Sequence, residues 1–424
     1  MDCHSHRKRV RRVAFVSGVG LIFGLAFGPL IGDAIGRATG GAHGAKLVAL
    51  GLKFDGAETC KGASCHSKGN DEAPPTARGS ENDIWSARDP HSTAFDTLKN
   101  DQSKAMGAKL GIADVTTSKD CLGCHALDVP DNLKGRKFNV AEGNTCVSCH
   151  GPSEKWMDPH TREGWTNEQR KKYPNHAELL KNTGLYDTRP LVARAELCAD
   201  CHLAIDARLV AAGHPQPKFE LHYYTEYNPK TDSAWKHWTT DPGGAEIAKV
   251  WLAGQAACTR DAMAQLAARV GGGAGEDAVK AAYEQALAHG LVFAAGAKAA
   301  GVGDITAAVE AVKAAKGDPA KLAAAASAAS EAAAKLFDAI EKADIGKSGK
   351  AMTAAVGAVK GIVAAAGADG HAQMFYALYA LASSTADAEK AGEWTGDLFP
   401  DPAAPMSSDD FDAKLAEVVA KLPK

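Results

Sequence analysis

The chain has 424 residues, enough for two or three domains. Its formal net charge of −3 at pH 7 implies no general basic surface, so nucleic acid is not an expected partner. Eight of its ten cysteines fall in repeated short motifs; the other two, Cys3 and Cys258, make no disulfide framework.

Residues 1–39 read as a targeting or anchoring segment. His6 to Arg12 is strongly basic, and Val13 to Ile31 is apolar and uncharged. That run is longer than an ordinary signal core and just long enough to span a bilayer, and no clean cleavage site follows. The balance leans toward an uncleaved anchor in the cytoplasmic membrane over a removed signal peptide. In both cases the basic end stays inside and the remainder is exported. Residues 40–58 read as a linker, and His43 beside it is expected in solvent.

Residues 59–240 carry four Cys–His dipeptides. Three stand in C-x-x-C-H: Cys121 to His125, Cys146 to His150 and Cys198 to His202. The first is stretched, with four residues between Cys60 and Cys65 before His66. C-x-x-C-H attaches c-type haem: the two thiols form thioethers and the adjacent histidine ligates the iron. A zinc site built from C-x-x-C pairs leaves the four histidines unexplained. A thioredoxin-like motif is single and lies in a βαβ pattern that is missing here. Structural disulfides would be strained within C-x-x-C and again ignore the histidines. The expectation is four covalent haems c, with Cys60, Cys65, Cys121, Cys124, Cys146, Cys149, Cys198 and Cys201 as thioether positions. His66, His125, His150 and His202 are the proximal ligands. Turn residues are dense here because porphyrin supplies the apolar bulk.

The sixth ligand of each iron must come from elsewhere. His91, in Asp89-Pro90-His91, shares a helical face with Phe95 and Leu98. His160 follows Trp156-Met-Asp-Pro, and Trp156 is suited to lie against a porphyrin. His214, in Gly213-His-Pro-Gln-Pro217, is held rigid by its prolines. His176 completes the preferred set. His222, His237, Met106 and Met157 rank below these, and Tyr223, Tyr224, Trp235 and Trp238 suggest an aromatic wall. The sequence does not pair these candidates with particular motifs.

Residues 245–424 change character. Alanine dominates, and helix signals recur: Asp318-Pro319 as cap and first residue, and Phe411, Leu415, Val418 and Leu422 on one face after Ser407. Six or seven helices are expected, packed through small residues. Cys258 reads as a small buried apolar residue. Only His289 and His371 offer typical catalytic chemistry there, and a structural or docking role is expected. The fold class is therefore mainly α: a haem-packed, loop-rich module followed by an Ala-rich helical bundle.

The run Glu142 to Pro152, together with Asp89-Pro-His91 and Gly213-His-Pro215, resembles phrases of exported multihaem cytochromes. The motif order, with the second and third close together, resembles the tetrahaem cytochrome c-554 family over about residues 57–240. That resemblance implies haems stacked in close pairs, mostly bis-His, with one iron able to lack a protein sixth ligand. It also implies electron transfer from hydroxylamine oxidation. The stretched first motif departs from the family.

Two readings of function follow. The first is a periplasmic or membrane-anchored electron carrier passing single electrons between redox protein partners, including as a subunit of a respiratory complex. The second is a multihaem oxidoreductase acting on a small nitrogen or sulfur compound at one five-coordinate haem. The sequence shows no dedicated catalytic haem motif, which favours the carrier.

Overall fold

The computed structural model describes residues 42–62, 64–67, 79–203, 205–226, 244–346 and 348–423. The basic and apolar N-terminal segment, His237, Trp235 and Trp238 lie outside these residues. Among those described, no helix is long and apolar enough to cross a membrane.

The described chain is mainly α and has no strand; its one β-bridge joins Phe54 and Lys134. The motif-bearing part has short helices: α1 (Ala42–Val48), α2 (Glu81–Arg88), α3 (Asp101–Leu110), α4 (Lys119–His125), α5 (Cys146–His150), α6 (Trp165–Lys172), α7 (His176–Thr183), α8 (Leu191–His202), α9 (Ala207–Ala212) and α10 (Leu221–Glu226). One-turn 3-10 helices lie between them. The C-terminal part has α11 (Gly244–Gly271), α12 (Glu276–Ala299), α13 (Thr306–Ala314), α14 (Pro319–Ala334), α15 (Phe337–Lys342), α16 (Gly349–Gly357), α17 (Ile362–Ser383), α18 (Ala388–Thr395) and α19 (Ser408–Lys421). Periodicity predicts six or seven helices in this part, and nine form among the described residues. Pieces as short as α15 and α18 span too few turns to display a period.

Local signals explain the ends. The Asp318 carboxylate accepts the Lys321 N–H at 3.1 Å with Pro319 in the first turn, as expected. Ser407 caps α19, whose Phe411, Leu415 and Val418 are buried, with Leu422 just beyond. Within α17 the backbone breaks helical geometry at Gly367.

The core is unevenly distributed. The motif-bearing part holds two small apolar clusters, one around Phe54, Leu127, Val147, Trp156 and Tyr186, the other around Phe95, Leu98, Val115 and Leu122. The large cluster belongs to α11, α12, α14 and α17 and is rich in alanine. Small residues let these helices approach closely. A Cβ on Gly296 of α12 would meet the Trp251 ring of α11 at 2.5 Å. The alanine stripe Ala326, Ala329 and Ala333 of α14 is fully buried, and α14 packs along α11.

This cluster does not stop at residue 240. It takes in Leu191, Val192, Ala195 and Ala199 of α8, then Phe219 and Leu221. The Glu341 carboxylate accepts the N–H groups of Leu191 and Val192 at 3.2 and 3.1 Å, capping α8 where Pro190 offers no side-chain acceptor. Of the expected aromatic wall, Tyr223 of α10 packs on Phe375, Tyr376 and Tyr379 of α17 and so joins the two parts. The fourth motif, at the end of α8, is thus fixed by the bundle.

The two bundle histidines are spent on internal hydrogen bonds. His289 Nδ1 lies 2.9 Å from Gln255, and Gln255 donates to Gln373, which donates to the Phe219 carbonyl. Burial lowers the His289 pKa to about 3, which keeps it neutral. His371 Nε2 lies 3.0 Å from the Leu398 carbonyl.

Candidate haem-binding sites

Three motifs end short helices, so each cysteine pair lies on one turn with its histidine next. α5 starts with a capping box in which Thr145 and Ser148 bond reciprocally. The first motif forms a turn instead. Cys65 N–H donates to the Gly62 carbonyl at 2.8 Å, which absorbs the extra residues.

Thiols of different motifs meet. The Cys60 and Cys146 thiols lie close enough to perturb each other, Cys60 held below its ordinary pKa and Cys146 above it. Cys124 lies near Cys201 in the same way, and with burial it raises the Cys201 thiol. The first motif therefore adjoins the third, and the second adjoins the fourth.

The histidines pair across the fold. His66 faces His160 with ring centroids 6.1 Å apart and planes 4° apart. His125 faces His214 at 6.2 Å and His202 faces His91 at 5.8 Å. A metal with imidazole nitrogens about 2 Å away on opposite sides sets two rings about 6 Å apart. Each of the three pairs joins one expected proximal to one expected distal histidine.

Nδ1 is tied in five of these six rings. His66 Nδ1 lies 2.7 Å from Glu81, and His125 Nδ1 lies 2.8 Å from Thr97 and 3.0 Å from the Ala94 carbonyl. His91 Nδ1 is 2.8 Å from Asp89. His160 Nδ1 bonds the carbonyls of Met157 and Trp156, and His214 Nδ1 that of Pro215. Tying Nδ1 selects the tautomer and aims Nε2, as outer partners of metal-bound histidines do. His202 is held by stacking on Phe219 at 5.3 Å, with Tyr224 edge-on.

Asp-Pro-His builds the same feature twice. At 89–91 and at 158–160 the proline opens a one-turn 3-10 helix that presents the histidine. Asp89 also accepts the His91 N–H at 2.9 Å. Burial opposes charging His91, but Asp89 outweighs it and raises the pKa.

The walls of these sites are accessible and desolvated at once. Cys149 is exposed by area, yet burial pushes its thiol up to about 12. Burial also raises Cys198 to about 11 and lowers His202 to about 3. Surface that is reachable yet deep faces inward, as the wall of a prosthetic-group cradle does. Covalent haem fits this donor set in thiols, paired imidazoles and inward-facing wall.

The third motif differs. The His150 carbonyl accepts the Tyr186 N–H at 2.9 Å, and the Tyr186 ring stands between His43 and His176, edge-on at 4.6 and 4.3 Å. His176 Nε2 lies 3.1 Å from the Asp187 carbonyl, so the nitrogen the other distal candidates leave available is engaged. His43, expected in solvent, is half-buried. Its backbone N–H reaches Asp200, and its Nε2 is buried with no partner among the described residues. Burial lowers its pKa to about 4. Only tertiary contact reveals His43, because no motif surrounds it. Glu81, which aims His66, is equally silent in sequence. His222 is buried and stacks on Tyr379, and Met106 and Met157 stand in none of the three ring pairs.

Comparison with known proteins agrees. Residues 59–151 match the family "Cytochrome c554 and c-prime". Cytochrome c-554 of Nitrosomonas europaea is 28% identical over 193 residues, covering 44% of this chain and 70% of that protein. No solved structure matches. These matches make the motif-bearing part of the chain similar to the c-554 cytochromes, which are c-type cytochromes of electron transfer.

Proposed function

We propose that the protein is an exported tetrahaem cytochrome that carries single electrons between redox protein partners on the periplasmic side of the cytoplasmic membrane. The observation that carries this reading is the set of three facing imidazole pairs at 5.8 to 6.2 Å, each beside a Cys–His motif. Haem iron, when bound, supplies the one-electron chemistry by cycling between ferric and ferrous states.

The chain's residues do the rest. Cys60, Cys65, Cys121, Cys124, Cys146, Cys149, Cys198 and Cys201 would anchor four haems. His66 with His160, His125 with His214 and His202 with His91 would hold three irons and close them to substrate. His150 would hold the fourth, with His43 the better placed second imidazole beside Tyr186: its Nε2 has no partner among the described residues, whereas His176 would first release Asp187. The thiol contacts between motifs support close packing of the first haem with the third and of the second with the fourth. The bundle holds the fourth motif through Glu341 and the α8 interface, so it orients the module.

Pyridine haemochrome and intact mass on the purified full chain count the haems; four are expected. Low-temperature EPR of the oxidised protein should show low-spin ferric signals with no high-spin fraction. A count below four overturns the tetrahaem assignment. One high-spin haem per chain would instead support an oxidoreductase acting at the third motif.

A further inference from the structure

In the motif-bearing part, the buried side-chain atoms without a partner among the described residues are His43 Nε2, Trp156 Nε1 and Gln216 Nε2. All are nitrogens. In the bundle they are mostly oxygens: Thr259 Oγ1, Gln265 Oε1, Gln285 Oε1 and Ser383 Oγ, beside one indole, Trp251. Indole N–H and amide NH₂ can only donate, so what Trp156 and Gln216 lack is an acceptor. Buried donors are paired almost without exception.

Both donors stand on a distal-ligand segment. Trp156 is 6% exposed; its ring is edge-on to His160 at 5.3 Å, and its carbonyl helps tie His160 Nδ1. Gln216 lies two residues after His214, which faces His125. The acceptor must therefore reach the flank of an axial imidazole from inside the molecule. A lone water is a poor answer at Trp156, because a buried water needs two to four polar partners and the surrounding cluster is apolar.

We propose that Trp156 Nε1 and Gln216 Nε2 are carboxylate-binding donors, Trp156 for a propionate of the haem between His66 and His160, and Gln216 for a propionate of the haem between His125 and His214. The inference rests on the tetrahaem reading. Charge-assisted hydrogen bonds of this kind are short and strong, and a haem brings two carboxylates into the site. By spreading the carboxylate's charge, each donor weakens the field that favours ferric iron and so raises that haem's potential.

The test uses full-length, haem-loaded Trp156→Phe and Gln216→Leu, with haem count and EPR measured first. A count below four in the wild type would fail the tetrahaem reading itself. With four low-spin haems retained, each variant should shift the propionate bending band in resonance Raman spectra. One of four potentials should fall and titrate with pH nearer neutrality, and the other three should stay in place. Unchanged bands and potentials in both variants overturn the inference. If either variant loses haem, the wild-type holoprotein structure decides: each donor should lie about 3 Å from a propionate oxygen, and donors facing porphyrin carbon or solvent overturn it.

Discussion

His66 and His160 face each other with imidazole planes 4° apart and centroids at 6.1 Å, although they come from the first motif and from a turn beyond the third. Glu81 fixes one ring by its Nδ1, and the Met157 and Trp156 carbonyls fix the other. Near-parallel rings give a low-spin ferric centre a characteristic EPR line shape, distinct from those of the 69° and 81° pairs. His160→Ala should convert one haem in four to high spin and leave the other signals in place. Full retention of the low-spin intensity would show that His160 is not a ligand.

Gly143 packs against His91, a second distal candidate. It adopts φ +72°, and an added Cβ would lie 2.4 Å from the His91 carbonyl oxygen. The same carbonyl accepts the Asn144 N–H at 3.0 Å. Gly143→Ala therefore combines a left-handed backbone with a clash, a strain of about 1–3 kcal/mol. We expect the EPR signal of the His91–His202 pair to move, with the thermal midpoint lowered. A spectrum identical to wild type would show that the turn adapts without moving His91.

Asp187 gives a pH-dependent test outside the ligand set. Arg170 donates to both its carboxylate oxygens, at 2.6 and 2.7 Å, and the Asp187 side chain is 8% exposed. Burial alone would raise its pKa, but Arg170 and Arg189 outweigh burial and hold it below the ordinary value. A depressed carboxylate pKa stabilises the fold above the unfolded pKa of about 3.9. That contribution is lost as pH falls through the folded value. Asp187→Asn should cost about 2–4 kcal/mol at pH 7. The gap from wild type should narrow below about pH 4. Urea midpoints at several pH values read it, and a pH-independent gap would exclude ionisation as its source.

Glu341 joins the bundle to the fourth motif by accepting two N–H groups at the start of α8. Removing an N-cap acceptor costs about 1 kcal/mol. Glu341→Ala should lower the unfolding midpoint and leave the haem count unchanged. Glu341→Gln, which keeps one acceptor oxygen, should lose less. Equal loss in both variants would mean that charge, not the hydrogen bonds, matters there.

Much of this molecule was legible along the chain. Cys–His spacing marked four candidate attachment sites, because thioether and axial ligand are adjacent in sequence. Asp-Pro-His forms a one-turn helix at both of its sites, because proline fixes the first residue of the turn. Alanine, glycine and capping residues announced the helices after residue 244, since those preferences are local. The pairing of His66 with His160, His125 with His214 and His202 with His91 was not legible, because facing rings are brought together by chain closure and not by any spacing. His43 beside Tyr186, Glu81 behind His66 and Glu341 on α8 were silent for the same reason. Their roles are set by neighbours distant in sequence, through hydrogen bonds and burial that exist only once the fold has closed.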